Sequence, residues 1–115
     1  MNANILLATL TAIAANNKEG YTVDATTLQP ITKGYAVAVA ATQNSFGPEG
    51  LARVIEYAKT HKEVNAFGGW FNTDNGRYYY DATIVISSLA DALEIGRSAG
   101  QLAIFDLVNC KEIRL

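Results

Sequence analysis

The sequence predicts an α+β fold, with a mainly antiparallel sheet of about five to six strands and three helices on one side of it. Three observations predict this fold. Three segments have helical composition, strand-like segments lie between them, and Asn75-Gly76 marks a hairpin. The resulting order is α-β-β-α-β-β-α-β-β, in which strands joined by short turns must be antiparallel. With 115 residues, the chain has room for one domain, over residues 1–115.

The first element is predicted to be a helix over residues 3–16, which is rich in Ala and Leu and contains no Gly or Pro. Asn17 and Gly20 supply the stop signals. Residues 5–15 leave little polar surface on any side, which indicates a helix that is either buried or shared with a second subunit. We therefore expect this helix to be an oligomerisation element in a homo-oligomer, a dimer or higher.

Two strands and a second helix are predicted next. The strands cover residues 21–23 and 35–41, and in the second of them bulky residues alternate with alanines. This alternation predicts a bulky face and a small face, and the small face is expected to approach a helix closely. The second helix is predicted over residues 48–62, because Pro48 and Glu49 suit a first helical turn.

The hairpin is predicted from Asn75-Gly76, the dipeptide that a two-residue type I′ turn requires. Counting outward from that turn places Trp70 beside Asp81 and Phe71 beside Tyr80. One face is then the predicted core face, with Phe67, Gly69, Phe71, Tyr78, Tyr80, Ala82, Ile84 and Ile86. The outer face is mixed aromatic and polar, with Trp70, Asn72, Tyr79, Asp81 and Thr83.

The third helix is predicted over residues 89–99. Ser88 and Asp91 form an S-x-x-D capping signature, and Gly100 suits the position after the helix end. A strand over residues 101–107, a turn over 108–111 and a short last strand over 112–115 complete the expected fold.

Composition and charge narrow the function classes. Nine basic and eleven acidic side chains give a net charge of −2 with no run of either sign, which argues against DNA or RNA polymers as partners. Cys110 is the one cysteine, so no internal disulfide forms, and no Cys/His spacing suits a metal. The apolar run at 5–15 is about half the ~20 residues that a membrane span needs. We expect a cytoplasmic protein with no membrane partner and no cofactor.

No catalytic constellation is recognisable in the sequence. His61 is the one histidine and lies among charged residues at a predicted helix end, where a solvated side chain is the ordinary interpretation. The carboxylates are scattered over different elements, and no phosphate-binding loop motif is present. Gly68 and Gly69 lie inside a strand, where a missing side chain more often permits close packing by another residue. We therefore expect a binding protein and not an enzyme.

The richest candidate site is the outer hairpin face. Aromatic faces stack on bases, arginine pairs with phosphate, and carboxylates or amides bind ribose hydroxyls and base edges. Those residue types together suit a small nucleotide-like ligand. The competing interpretation is that this face packs against a partner subunit, and a pocket at a subunit boundary would reconcile the two. The candidate ligand-binding residues are Asn44, Trp70, Arg77, Tyr78, Tyr79, Asp81, Arg97 and Gln101.

Three segments carry a family resemblance: TQNSFG at 42–47, GGW leading to YYYD over 68–81, and GR leading to QLAIFD over 96–106. Over residues 20–115 they resemble small proteins of phages, prophages and mobile elements of gut bacteria. Among these, the chain is similar in size and architecture to the first-described class of phage Thoeris anti-defence sponges. The resemblance implies that an oligomer sequesters cyclic ADP-ribose isomers, and for some members cyclic oligonucleotides, without cleaving them.

The resemblance also bears on site residues. It places residues 78–80 in an aromatic strand that contributes to the pocket, whereas Ser88 stands where an asparagine would be expected. The alternative function is an oligomeric protein-binding module, from a phage or mobile element, that blocks a host factor. The apolar first helix favours that alternative. A small enzyme with an unfamiliar site is the third hypothesis.

Overall fold

A computed structural model describes residues 2–115 and has three helices and one seven-stranded sheet. The elements follow in the order α1 (Ala3–Asn16), β1 (Tyr21–Asp24), β2 (Tyr35–Ala38), a 3-10 turn (Ala40–Thr42), β3 (Ser45–Phe46), α2 (Gly47–Thr60), β4 (Ala66–Asn72), β5 (Arg77–Ile86), α3 (Leu89–Ser98), β6 (Ala103–Asp106) and β7 (Lys111–Arg114). The predicted α+β class and element order are confirmed, with the two-residue strand β3 added.

The sheet has the strand order β1-β4-β5-β2-β6-β7, and every pair is antiparallel. The ten-residue strand β5 is central: β4 lies along one edge, and β2 and β3 share the other. Strand β2 lies between β5 and β6, so residues distant in sequence meet across the middle of the sheet.

All three helices pack on the same face, which we call the covered face. Side chains on this face form the core, and the pairing of Val37 with Ile84, four residues after Tyr80 on β5, places both core clusters on this face. One cluster packs under α1 and α2 and consists of Leu10, Ala14, Val23, Leu51, Val54, Ile55, Val64, Phe67, Tyr80 and Ala82. A smaller cluster packs under α3 and consists of Val37, Ala92 and Ile104. The opposite face, which we call the open face, carries no helix formed by residues 2–115.

The helix ends agree with the predicted signals. In α1, the Asn2 side chain accepts a hydrogen bond from the Ile5 amide at 2.9 Å, and the helix ends at Asn16 as predicted. In α3, the Ser88 side chain accepts from the Asp91 amide at 3.3 Å, and Gly100 follows the helix with φ +70°. The predicted capping signature and terminal glycine are therefore confirmed.

The hairpin register differs from the prediction by two residues. Trp70 lies opposite Tyr79, and Asp81 lies opposite Gly68, because residues 73–76 form a four-residue connection. Asn75 does not have the positive φ that a type I′ turn needs, and only Gly76 does, at +71°. Because the slip is an even number of residues, every side chain keeps its predicted face.

The prediction for the alanine face of β2 is wrong. Val37 faces the helices, whereas Ala36 and Ala38 lie on the open face, away from any helix. Burial of bulky apolar surface under α3 decides the orientation, since valine gains more from leaving water than alanine does. The strand is also shorter than the predicted 35–41, because residues 40–42 turn into a 3-10 helix.

Candidate functional site

A groove of about 720 Å³ crosses the open face. Its floor consists of small residues from the two strands that flank β5, Gly68 of β4 and Ala36 and Ala38 of β2. Aromatic side chains rise beside this floor, Trp70 from β4 and Phe105 from β6, and they are 46% and 40% exposed. The connections around residues 31–32 and 107–110 also line the groove. The volume lies in the range of small-molecule pockets, about 300–1,000 Å³.

Trp70 belongs to a row of stacked side chains that we call the aromatic ridge, made of Phe46, Trp70, Arg77 and Tyr79. The rings of Trp70 and Tyr79 are nearly parallel, with centroids 5.1 Å apart. Phe46 meets Tyr79 edge-on at 5.5 Å, and the Arg77 guanidinium carbon lies 4.3 Å from the Phe46 ring centroid. These contacts hold the exposed indole in one orientation at the groove wall.

The tyrosine hydroxyl of the ridge is also fixed. Asn75, in the hairpin connection, donates a hydrogen bond from Nδ2 to Tyr79 Oη at 2.8 Å. The Asn75 side-chain oxygen accepts from the Arg77 amide at 3.0 Å. The hairpin tip therefore anchors the end of the ridge that is farthest from the groove.

A polar pair, Asp81 and Thr83, lies in the groove next to the glycine of its floor. Thr83 is 2% exposed, and its hydroxyl donates to Asp81 Oδ1. A side chain at position 68 would place its Cβ 2.7 Å from Asp81 Oδ1 and 3.1 Å from Thr83 Oγ1. Glycine at this position therefore leaves space for the Asp81 and Thr83 side chains.

The carboxyl of Asp81 is desolvated. Burial raises its pKa above the ordinary aspartate value, and the hydrogen bond from Thr83 acts in the opposite direction. Two further carboxylates, Glu19 and Glu112, line the groove, and none of its lining residues within 2–115 is Lys, Arg or His. The groove therefore favours hydrogen-bond donors over anions.

Four of the predicted ligand-binding residues share the open face: Trp70, Arg77, Tyr79 and Asp81. Trp70 and Asp81 line the groove itself, while Arg77 and Tyr79 extend the aromatic ridge away from it. The structure thus brings these four together on one surface.

Tyr78 lies on the covered face. Its hydroxyl donates to the Asn17 carbonyl at 2.7 Å, and its ring stacks on Tyr21 with centroids 6.3 Å apart. Burial, then the neighbouring Tyr80 and Glu19, raise its pKa to about 12. The pleat of β5 places this tyrosine and the groove on opposite faces of the sheet.

The remaining three predicted residues also lie outside the groove lining. Arg97 is in the last turn of α3, and Gln101 follows that helix, whose packing is on the covered face. Asn44 precedes β3 with a φ of +62°, two residues from Phe46 of the aromatic ridge. These positions are separate from the surface that Trp70 and Asp81 share.

Sequence reasoning missed the floor and one wall of the groove. The alternating alanines of β2 are a local signal of a small-residue face, but that pattern predicts contact with a helix and not a groove floor. Phe105 and Glu112 lie opposite each other on β6 and β7, and no local pattern indicated that they would reach a groove with Trp70. Phe46 joins the ridge because β3 pairs with β5 at Tyr79.

Among residues 2–115, no three His, Cys, Asp or Glu side chains come together as a metal site would require. In the same part of the chain, no helix combines the length and apolarity needed to traverse a bilayer.

Comparison with protein-family models, with curated proteins and with solved structures finds no match to this chain.

Proposed function

We propose that this protein binds a nucleotide-type signalling molecule in the groove and holds it without converting it, acting as an anti-defence sponge in the cytoplasm of a bacterial host. One observation carries the proposal: a groove of about 720 Å³ has a fixed indole, Trp70, on its wall and a desolvated carboxyl, Asp81, beside its floor. An aromatic wall and a carboxyl are the two features that bind a planar base by its face and by its edge.

The base would lie in the groove against Trp70. Tyr79 stacks on one side of the indole and restricts its motion, so little side-chain entropy remains to be lost on binding. The alanine and glycine floor leaves space for the base and ribose above the sheet. A purine nucleotide, cyclised or open, fits a groove of this volume.

The phosphates would lie outside the groove, towards Arg77. Glu19 and Glu112 line the groove, and their carboxylates would repel phosphates placed inside it. Arg77 is exposed at the far end of the aromatic ridge, where its guanidinium covers Phe46 and keeps donors for phosphate oxygens. Charge therefore orients the ligand, with its base end inward and its anionic end outward.

Holding without conversion is the second part of the proposal. The groove lining within residues 2–115 includes the Cys110 thiol and the Thr83 hydroxyl but no histidine to activate either. His61 instead stacks on Tyr57 of α2, with the two ring centroids 3.7 Å apart. The third hypothesis, a small enzyme, has no such pairing to support it.

Calorimetry with a cyclic ADP-ribose isomer tests the binding site. Trp70→Ala should weaken binding roughly ten- to a hundredfold, since a stacked aromatic contributes about 1–3 kcal/mol. Phe71→Ala is the matched control, because Phe71 is the next residue on β4, is 40% exposed and lies on the covered face. Equal affinities for the parent and the Trp70 variant would place the ligand elsewhere and reject this site.

Release after denaturation tests sequestration. The pure protein is incubated with the isomer or with an extract that contains it, washed, and denatured with heat. Recovery of the intact molecule is expected. Recovery of a fragment would mean that the protein is an enzyme, and would overturn the second part of the proposal.

A protein-binding module that blocks a host factor is the second candidate function. The observation that favours it is exposed apolar surface on two elements, Ile5 of α1 at 52% and Phe105 of β6 at 40%. This function predicts that Phe105→Ser weakens binding of the host factor. It also predicts that neither the parent nor the Trp70→Ala variant binds the small molecule detectably. The calorimetric experiment above separates the two candidates.

A further inference from the structure

We propose that Asp81, oriented by Thr83, selects the base of the ligand by binding an amino-substituted edge, as in adenine or cytosine, in preference to guanine. This inference rests on the proposed function and adds the class of base to it. Adenine and cytosine each present a ring nitrogen that accepts a hydrogen bond beside an exocyclic amine that donates one. Guanine presents two adjacent donors at the corresponding edge.

The contact between Thr83 and Asp81 distinguishes the two oxygens of the carboxyl. The Thr83 hydroxyl donates to Oδ1, so Oδ1 is held as an acceptor and retains a second lone pair for the ligand. Oδ2 has no such donor in the described chain. A proton taken up by the carboxyl is therefore best placed on Oδ2, which then donates.

The surroundings of Asp81 favour uptake of that proton. Burial in the groove raises the pKa of Asp81. The ionisable groups that line the groove are Glu19 and Tyr21 on the β1 side and Cys110 and Glu112 on the β6–β7 side. Arg77 and Tyr79 lie on the same strand and face as Asp81, with Arg77 stacked on Phe46. Within the described residues, none of the lining groups is a cation that would stabilise the carboxylate.

The protonated carboxyl of Asp81 complements the edge of adenine or cytosine. A neutral carboxyl offers one donor and one acceptor side by side, which complement the ring nitrogen and the amine of adenine or cytosine. An ionised carboxyl offers two acceptors, which complement the two donors of guanine. The protonation state of Asp81 thus sets the base preference, and Trp70 stacks on either base.

The test uses nucleosides, because they carry no phosphate that titrates. Adenosine and guanosine are titrated into the protein by calorimetry over a pH series that starts at about pH 5 and rises to about pH 9. Adenosine affinity should be highest below the raised pKa of Asp81 and fall about tenfold or more as the pH rises through it. Guanosine affinity should change in the opposite direction.

Asp81→Asn is the sharpest variant, since an amide keeps one acceptor and one donor at every pH. It should retain adenosine binding and lose the pH dependence. Asp81→Leu should weaken adenosine binding about tenfold or more at the acid end of the pH series and show no pH dependence. Glu94→Gln is the control and should keep the pH dependence of the parent, because Glu94 is exposed on α3 and lies outside the groove lining.

The outcomes separate this inference from the proposed function. If Trp70→Ala weakens nucleoside binding but neither pH nor Asp81→Asn alters the base preference, the groove binds nucleotides and the inference about Asp81 is wrong. If the parent binds neither nucleoside nor a cyclic ADP-ribose isomer, both are wrong. The pH series on the parent protein needs no variant, so a folding defect cannot obscure the result.

Discussion

The two faces of strand β4 differ in what their side chains contact. Phe67 and Gly69 face the helices, where Phe67 is 2% exposed and the glycine makes room for the rings of Tyr21 and Tyr78. Gly68 and Trp70 face the other way, where the glycine makes room for the Asp81–Thr83 pair and the indole stands at the groove wall. The covered face is filled by packed side chains, whereas the open face keeps a groove.

The three consecutive tyrosines of β5 show the same division. Tyr78 and Tyr80 lie on the covered face, and burial raises the pKa of both hydroxyls. Tyr79 lies on the open face, stacked against Trp70 and hydrogen-bonded by Asn75. A sequence run that resembles one aromatic site is in fact shared between a core and a surface, because side chains alternate along a strand.

The largest expected effect on stability comes from removing a buried ring from the covered face. Phe67→Ala should reduce the free energy of unfolding by about 3–5 kcal/mol, since it removes a buried ring and leaves a cavity. Trp70→Ala, three residues along the same strand, should reduce it by about 1 kcal/mol or less. Urea denaturation followed by circular dichroism measures both. Similar losses for the two variants would mean that the open face is also part of the core.

The paired glycines of β4 give a finer comparison. In Gly69→Ala, the new Cβ would lie 2.7 Å from Tyr78 Cε1 and close to the Tyr21 ring, so overpacking should reduce stability by about 1–3 kcal/mol. In Gly68→Ala, the new Cβ displaces the Asp81 carboxyl, which can move into the groove. That variant should lose less stability but weaken adenosine binding. Denaturation together with calorimetry tests the pair, and a reversed order of effects would contradict the assignment of faces.

The smallest expected effect on stability is at the surface of α1. Leu10 and Ala14 of this helix are buried, so deletion of residues 1–16 would disrupt the core and confuse any test of assembly. Ile5→Glu is better suited, because Ile5 is 52% exposed and the change should alter stability by only about 0.5 kcal/mol. If α1 joins subunits, this variant should lower the subunit count seen by light scattering. Asn4→Glu, an exposed neighbour, should not, and an unchanged count in both variants would argue against the interface.

Much of the local structure could be predicted because its signals are local. The ends of α1 and α3 were predicted from capping and terminal residues such as Ser88 and Gly100, which act on amides within a few residues. The division of the hairpin residues between two faces was also correct, although the register was displaced by two. Face assignment depends only on odd or even position, so it tolerates that error.

Local patterns were thus enough to predict the three helices, most of the strands and the hairpin side chains that share a face with Trp70. Long-range packing placed the alanines of β2 beside Gly68 in the groove floor and brought Phe105 to the groove that Trp70 lines. The physical reason is the long-range pairing of β2 between β5 and β6, which follows from burial of Val37 and Ile104 under α3. No local spacing records such a pairing, because its stabilisation comes from apolar surface brought together from distant parts of the chain.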